Sequence, residues 1–223
     1  MSPSKSPPFG AIFDWDGVII DSGKLHQQSW VRLAAELGKS IAPDSFIRGF
    51  GMKSARIIAE IHGWAKDPAE ISRLTNRKEA LYREIVGRSE IAALPGAAEW
   101  LARLREAGVA CAVASSTQRL NIDAVLARIG LQEAFGAIVS AEDVVHGKPH
   151  PEVFLKAAER LKIAPERCVI FEDAHVGIEA GHAAGMKVVA VTTTHRADEL
   201  GTADLVVSRL DELTIEQVAS LIA

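Results

Sequence analysis

FGAIFDWDG, residues 9–17, is an apolar run that ends abruptly in two carboxylates, Asp14 and Asp16, and a glycine. A run without charges and without polar alternation reads as a strand covered on both faces, the pattern of a parallel sheet inside an α/β layer. In such sheets chemistry gathers where the strands end. The two carboxylates therefore stand at a functional edge.

Working outward, the same kind of run returns at 109–114 (VACAVA), 137–139 (AIV), 168–171 (CVIF), 187–192 (KVVAVT) and 204–207 (DLVV). Between them lie helical periods. Leu101 and Leu104 share a face over 98–107 before Gly108, and Ile122, Val125, Leu126 and Ile129 do so over 121–129 before Gly130. Val153, Phe154, Ala157 and Leu161 share one over 152–161. Glycine after the last apolar position is a common helix stop. Strands alternating with amphipathic helices, joined by right-handed crossovers, predict a doubly wound parallel sheet, a Rossmann-like layer.

Residues 22–92 differ. Leu25, Trp30, Leu33 and Leu37, then Ile57, Ile58 and Ile61, then Leu74, Leu81 and Ile85 keep a helical period with no strand-like run between them. The segment reads as an α-helical cap inserted into a core made of 9–21 and 93–223, with crossings near 17–22 and 88–95. Gly17, Gly23, Gly87 and Gly96 lie beside those crossings. Residues 1–8 read as a disordered tail. Trp30, Trp64 and Trp100 read as core.

The composition narrows the partners. A formal net charge of −4 over 223 residues argues against a nucleic-acid surface. No run approaches the ~18–20 apolar residues of a membrane helix, and residues 1–8 lack the apolar core of a signal peptide. Cys111 and Cys168 sit singly in apolar runs and read as buried thiols. The expectation is a cytoplasmic protein, monomeric or weakly dimeric.

The polar residues at the strand ends set the chemistry. Asp14 and Asp16 follow the first run, Ser115, Ser116 and Thr117 the second, Lys148 comes after the third, and Glu172 and Asp173 end the fourth. One of Ser115–Thr117 is expected to cap the next helix, and Glu172-Asp173 can cap the helix over 175–184. Two carboxylates about 4 Å apart repel by about 4 kcal/mol at an effective dielectric of 20, so this cluster must protonate or hold a cation. Hard oxygens and a need for open positions favour Mg²⁺. Lys148 can neutralise the nucleophile and a phosphate, and Ser115 with neighbouring N–H groups can bond phosphoryl oxygens.

In this order Asp14-Trp15-Asp16-Gly17, Ser115, Gly147-Lys148-Pro149 and Glu172-Asp173 resemble the four motifs of the haloacid dehalogenase superfamily. The resemblance implies that Asp14 forms an aspartyl-phosphate and that Asp16 is the general acid/base. It further implies that Asp14, the Asp16 main-chain carbonyl and Asp173 hold Mg²⁺, with Glu172 in or near the ion's shell. The cap, with Ser22, His26, Arg48 and Arg77-Lys78, is similar to the β-phosphoglucomutase and sugar-phosphatase branch, in which His26 and Lys78 would couple closure to the acid/base. Ser116, His26, Arg48, Lys53 and Lys78 are its candidate substrate-binding residues, although Arg48 and Lys53 match the mutase's cap cations only approximately. The implied function is a Mg²⁺-dependent phosphatase of a small phosphorylated metabolite, a sugar or polyol phosphate. A phosphosugar mutase and a non-catalytic binding protein on the same fold are the alternatives.

Overall fold

The computed structural model describes residues 9–223; the tail expected over 1–8 lies outside them. Six strands form one parallel sheet: β1 Gly10–Phe13, β2 Ala110–Ala114, β3 Ala137–Val139, β4 Cys168–Glu172, β5 Lys187–Val191 and β6 Leu205–Val207. Their order is β3-β2-β1-β4-β5-β6, with β1 at the centre. This is the doubly wound layer expected from the runs.

Alternate residues of each strand enter different cores. Ala11, Phe13, Val113, Phe171 and Val189 pack on one face against Trp100, Leu101, Ile122 and Val125. These last belong to α5 (Ala97–Glu106) and α6 (Arg119–Ile129). Ile12, Ala112, Ile170 and Val188 pack on the other against Phe154, Ala157 and Ile178, from α7 (Glu152–Leu161) and α8 (His175–Ala183). Phe13 lies level with Val113 on one neighbour and with Phe171 on the other. Phe13 and Phe171 stack with centroids 4.5 Å apart. The residues that follow this row, Asp14 and Glu172, are thereby held at one height above the sheet.

Between β1 and α5 the chain forms α1 (Gly23–Leu37), α2 (Ser45–Gly49), α3 (Ser54–Arg56) running into a π turn at Ile57–Ile61, and α4 (Pro68–Val86). No strand lies in this segment. α4 starts with Asp67 accepting from the Glu70 N–H and Pro68 in its first turn. Trp30, Leu33, Ile57, Ile58, Leu74 and Leu81 give these helices a core of their own. The two crossings run side by side: Ile20 bridges Ala93, and the Leu94 N–H donates to the Ile19 carbonyl at 2.8 Å. Gly17, at φ 85°, takes a left-handed turn there, whereas Gly23 opens α1 and Gly87 follows α4 with a helical φ of −59°. No helix among the described residues is long and apolar enough to cross a membrane.

Candidate active site

The strand ends converge as their placement in the sequence predicts. Asp14 follows β1 and its N–H donates to the Phe171 carbonyl at 2.9 Å, which pins it beside β4. Lys148, fully buried and joined to Pro149 by a cis peptide bond, reaches in from the loop after β3. Its ammonium donates to Asp14 Oδ1 at 2.7 Å and to Glu172 Oε1 at 2.6 Å. The second oxygen of Glu172 accepts from the N–H groups of Asp173 and Ala174, both at 2.7 Å. Glu172 thus fastens Lys148 to the start of α8. A Cβ on Gly177 would lie 1.7 Å from Glu172 Oε1, so only glycine lets α8 approach this closely.

Asp173 is fully buried; its Oδ2 accepts from the Thr194 hydroxyl, and its Oδ1 has no partner. A Cβ on Gly17 would lie 1.8 Å from Asp173 Oδ2, so the left-handed turn after Asp16 is also a close approach. Asp14, Glu172 and Asp173 each offer an oxygen within 4.8 Å of the others. Burial pushes the Asp14 carboxyl up to about 7, with Lys148 opposing and Glu172 and Asp16 adding to the rise. Burial, Glu172 and Asp14 push Asp173 well above the usual carboxylate range. Lys148 is shifted upward by Asp14 and Glu172 despite its burial. Hard oxygens, excess negative charge and an orphaned oxygen on Asp173 fit a small divalent cation such as Mg²⁺.

Asp16 faces away from this cluster. Its Oδ1 accepts from Ser22 and lies 3.2 Å from His26 Nε2, and its Oδ2 accepts from the Thr117 hydroxyl at 2.5 Å. Burial raises its pKa, but His26, with the Ser22 and Thr117 bonds, outweighs that and brings it down to about 2. His26 stacks on Tyr82 of α4 at 4.1 Å and lies 2.7 Å from the Lys78 ammonium through Nδ1. Lys78 also donates to Glu79 at 3.1 Å, and Glu79 accepts from Asn121 of α6 at 2.6 Å. Burial works against the Glu79 carboxylate, yet Lys78, His26 and Ser54 hold its pKa below the ordinary value.

These residues open onto a cavity of about 290 Å³ between sheet edge and inserted helices. Asp14, Asp16, His26, Lys78, Ser115 and Ser116 all line it. Arg48 and Lys53 do not: Arg48 is exposed and pairs with Asp44 at 3.4 Å, and Lys53 donates to the Val144 carbonyl at 2.6 Å. Arg48 lies on α2 and Lys53 is the extended residue ahead of α3, and sequence spacing alone did not resolve where either points. Trp30, expected as core, is core and cavity wall at once. Sequence reasoning missed Thr117 as a partner of Asp16, together with Thr194, Glu79 and Asn121. Thr117 read equally well as a cap for α6, whose N-cap is in fact Gln118.

The family model of haloacid dehalogenase-like hydrolases matches residues 11–191. A chloroplastic 5-amino-6-(5-phospho-D-ribitylamino)uracil phosphatase of Arabidopsis thaliana is 40% identical over 214 residues, covering 95% of this chain and 57% of that protein. The chain thus spans little more than half of that relative. Hexitol phosphatase A of Escherichia coli is 32% identical over 206 residues, with 92% of this chain and 93% of that one covered. The crystal structure of a Clostridium difficile β-phosphoglucomutase superposes with a TM-score of 0.85 at 27% identity, covering 96% of each chain. By motif order, fold and match, the chain belongs to the haloacid dehalogenase-like hydrolases.

Proposed function

We propose that the chain is a Mg²⁺-dependent phosphatase of small phosphorylated metabolites, with Asp14 as the nucleophile. The observation that carries this reading is the division of labour between two carboxylates two residues apart. Asp14 sits against Lys148 with the orphaned Asp173 oxygen nearby, while Asp16 is turned towards donors on the cap side. An Asp14 oxygen attacks phosphorus, the bond from phosphorus to the ester oxygen breaks, and Asp16 protonates the departing alkoxide. Asp16 then takes a proton from water, whose oxygen attacks the phosphoryl group and frees Asp14 and inorganic phosphate. The bonds from His26, Ser22 and Thr117 keep Asp16 ionised and ready to accept a proton, though they weaken it as a base; the negative charge of a bound phosphate beside it raises its pKa, which strengthens the base and allows the acid half.

Lys148 holds the Asp14 carboxylate and balances phosphoryl charge, and Ser115 and Ser116 line the position of the phosphoryl oxygens. Asp14, Asp173 and the Asp16 carbonyl would hold Mg²⁺, with Glu172 anchoring Lys148 beside it. When bound, the ion neutralises charge on the transferring group. The named substrates of both curated relatives are phosphorylated derivatives of sugar alcohols, which supports a polyol or sugar monophosphate.

The test is release of inorganic phosphate from hexitol and ribitol phosphates with Mg²⁺. Turnover is expected to vanish on chelation and to fall by about a thousandfold or more in Asp14→Asn, the scale of nucleophile deletions elsewhere. Activity that survives chelation, or Asp14→Asn within tenfold of wild type, would overturn the reading. Interconversion of glucose 1-phosphate and glucose 6-phosphate without phosphate release would instead support the mutase alternative.

A further inference from the structure

A buried carboxylate behind the acid/base belongs to none of the strand-end motifs. Glu79 of α4 has both oxygens engaged. Oε1 accepts from the Ser54 hydroxyl at 2.5 Å and from the Lys78 ammonium at 3.1 Å, and Oε2 accepts from the Asn121 amide at 2.6 Å. Asn121 is fully buried on α6 of the core, and its amide oxygen accepts from Arg83 at 2.8 Å. These two bonds decide which way the amide faces. Burial opposes the charge of Glu79, and Lys78 is foremost among the groups that hold it.

An ammonium has three donors and no acceptor. Lys78 Nζ lies 2.7 Å from His26 Nδ1, so Nδ1 must accept. The proton of the neutral imidazole then sits on Nε2, which faces Asp16 Oδ1 at 3.2 Å and donates to it. A proton on Nδ1 would set two donors against each other and could leave Nε2 as a lone pair facing a carboxylate. Tyr82 fixes the plane of the ring by stacking on it at 4.1 Å. The Trp30 and Tyr82 rings flank the ammonium at 5.2 and 5.5 Å, and Glu79 is the carboxylate paired with it.

We infer that Glu79, completed by Asn121, is a positioning residue for the acid/base: it holds the Lys78 ammonium against His26 Nδ1 and thereby keeps the imidazole proton on Nε2, in a hydrogen bond to Asp16. Glu79 comes from the inserted helices and Asn121 from the core, so the arrangement is complete only when the two parts are docked. This goes beyond the pairing of His26 with Lys78, and it rests on the reading of Asp16 as acid/base.

The experiment has a spectroscopic arm and a kinetic arm, both on the intact enzyme with Mg²⁺. Long-range proton–nitrogen correlation spectra near neutral pH show which imidazole nitrogen is protonated, and the signals lost in His26→Gln identify that ring. In wild type the proton is expected on Nε2. Glu79→Gln keeps an oxygen for Asn121 but removes the counter-charge of Lys78. A buried ammonium without its partner is disfavoured, and a neutral amine accepts as well as donates, so Nδ1 should gain the proton in a share of the molecules. Glu79→Asp, which keeps the charge, should stay closer to wild type. In the kinetic arm, kcat/KM covers the steps up to departure of the leaving group. Glu79→Gln should lose about tenfold or more on a hexitol phosphate, whose alkoxide needs a proton, and only about threefold on 4-nitrophenyl phosphate, whose phenolate does not. Melting curves verify that the variants fold, and the wild-type spectrum tests the inference without them. A proton on His26 Nδ1 in wild type, an unchanged tautomer in folded Glu79→Gln, or equal losses on the two esters would overturn the inference while leaving a phosphatase. No Mg²⁺-dependent phosphate release by wild type from either ester would remove the phosphatase reading, and the role of Glu79 with it, whatever the tautomer.

Discussion

Asp14 and Asp16 are two residues apart and are driven in opposite directions. Asp14 is raised to about 7 because burial outweighs Lys148, and Asp16 is lowered to about 2 because His26, Ser22 and Thr117 outweigh burial. The Asp14 shift has a stability consequence. Its folded pKa lies above an unfolded value of about 3.9, so the folded protein binds that proton more tightly. Metal-free stability should then fall as the pH rises from about 4 through 7. In Asp14→Asn this loss is absent. Without metal, the variant should gain melting temperature relative to wild type between pH 4 and pH 8, and thermal melts across that range check it. A gap that does not change with pH would show that Asp14 is not the group responsible. At this scale the sequence placed Asp14, Lys148, Glu172 and Asp173 at one edge because each follows an apolar run. It could not place Thr117 or Thr194, because a hydroxyl near a helix start or in a loop fits several roles equally.

Two helices carry the site's fine positioning. α8 begins against Glu172, and its close approach depends on Gly177. Gly177→Ala should push Glu172 away and loosen Lys148. The expected cost is about 1–3 kcal/mol, the range for overpacking, with a parallel drop in turnover; urea unfolding and phosphate release measure the two. Unchanged stability would mean that α8 shifts freely. α4 carries Lys78 and Glu79, both almost wholly buried. Lys78→Met leaves Glu79 charged and short of its cation, which should cost about 3–5 kcal/mol. Adding Glu79→Gln should restore part of that loss. A double-mutant cycle in urea tests it, and strict additivity would refute the coupling. Helices and strands were legible in the sequence from period and glycine stops. The directions taken by Arg48 on α2 and by Lys53 just ahead of α3 were not, and both lie outside the cavity.

Across the whole molecule, the inserted helices meet the core through Tyr82 and Val86 of α4, which pack into its hydrophobic cluster, and through polar bonds. Arg83 donates to Asn121 at 2.8 Å, Asn121 donates to Glu79 at 2.6 Å, and Lys53 donates to the Val144 carbonyl. Asn121→Ala cuts two of these at once. It is expected to speed amide exchange in Pro68–Val86 while leaving β1 and β4 unchanged, and to raise KM because a looser cap holds substrate less well. Exchange that rises equally in the sheet would mean that the cap does not move as a unit. The alternation of runs and periods made this architecture readable, since each local signal serves the same layer. Contacts between the two parts were not readable, because they join residues from 38 to 91 apart with no periodic signature. The pairing of Ile20 with Ala93 has one more consequence. Entry and exit of the insertion are stitched together on the sheet side, so its interior can vary in length and composition without disturbing the strand order. On the phosphatase reading proposed above, heritable change can accumulate in the helices that line the cavity while the strand-end carboxylates and Lys148 stay constant. A lineage carrying this chain could acquire new substrates by exchanging that segment as a cassette.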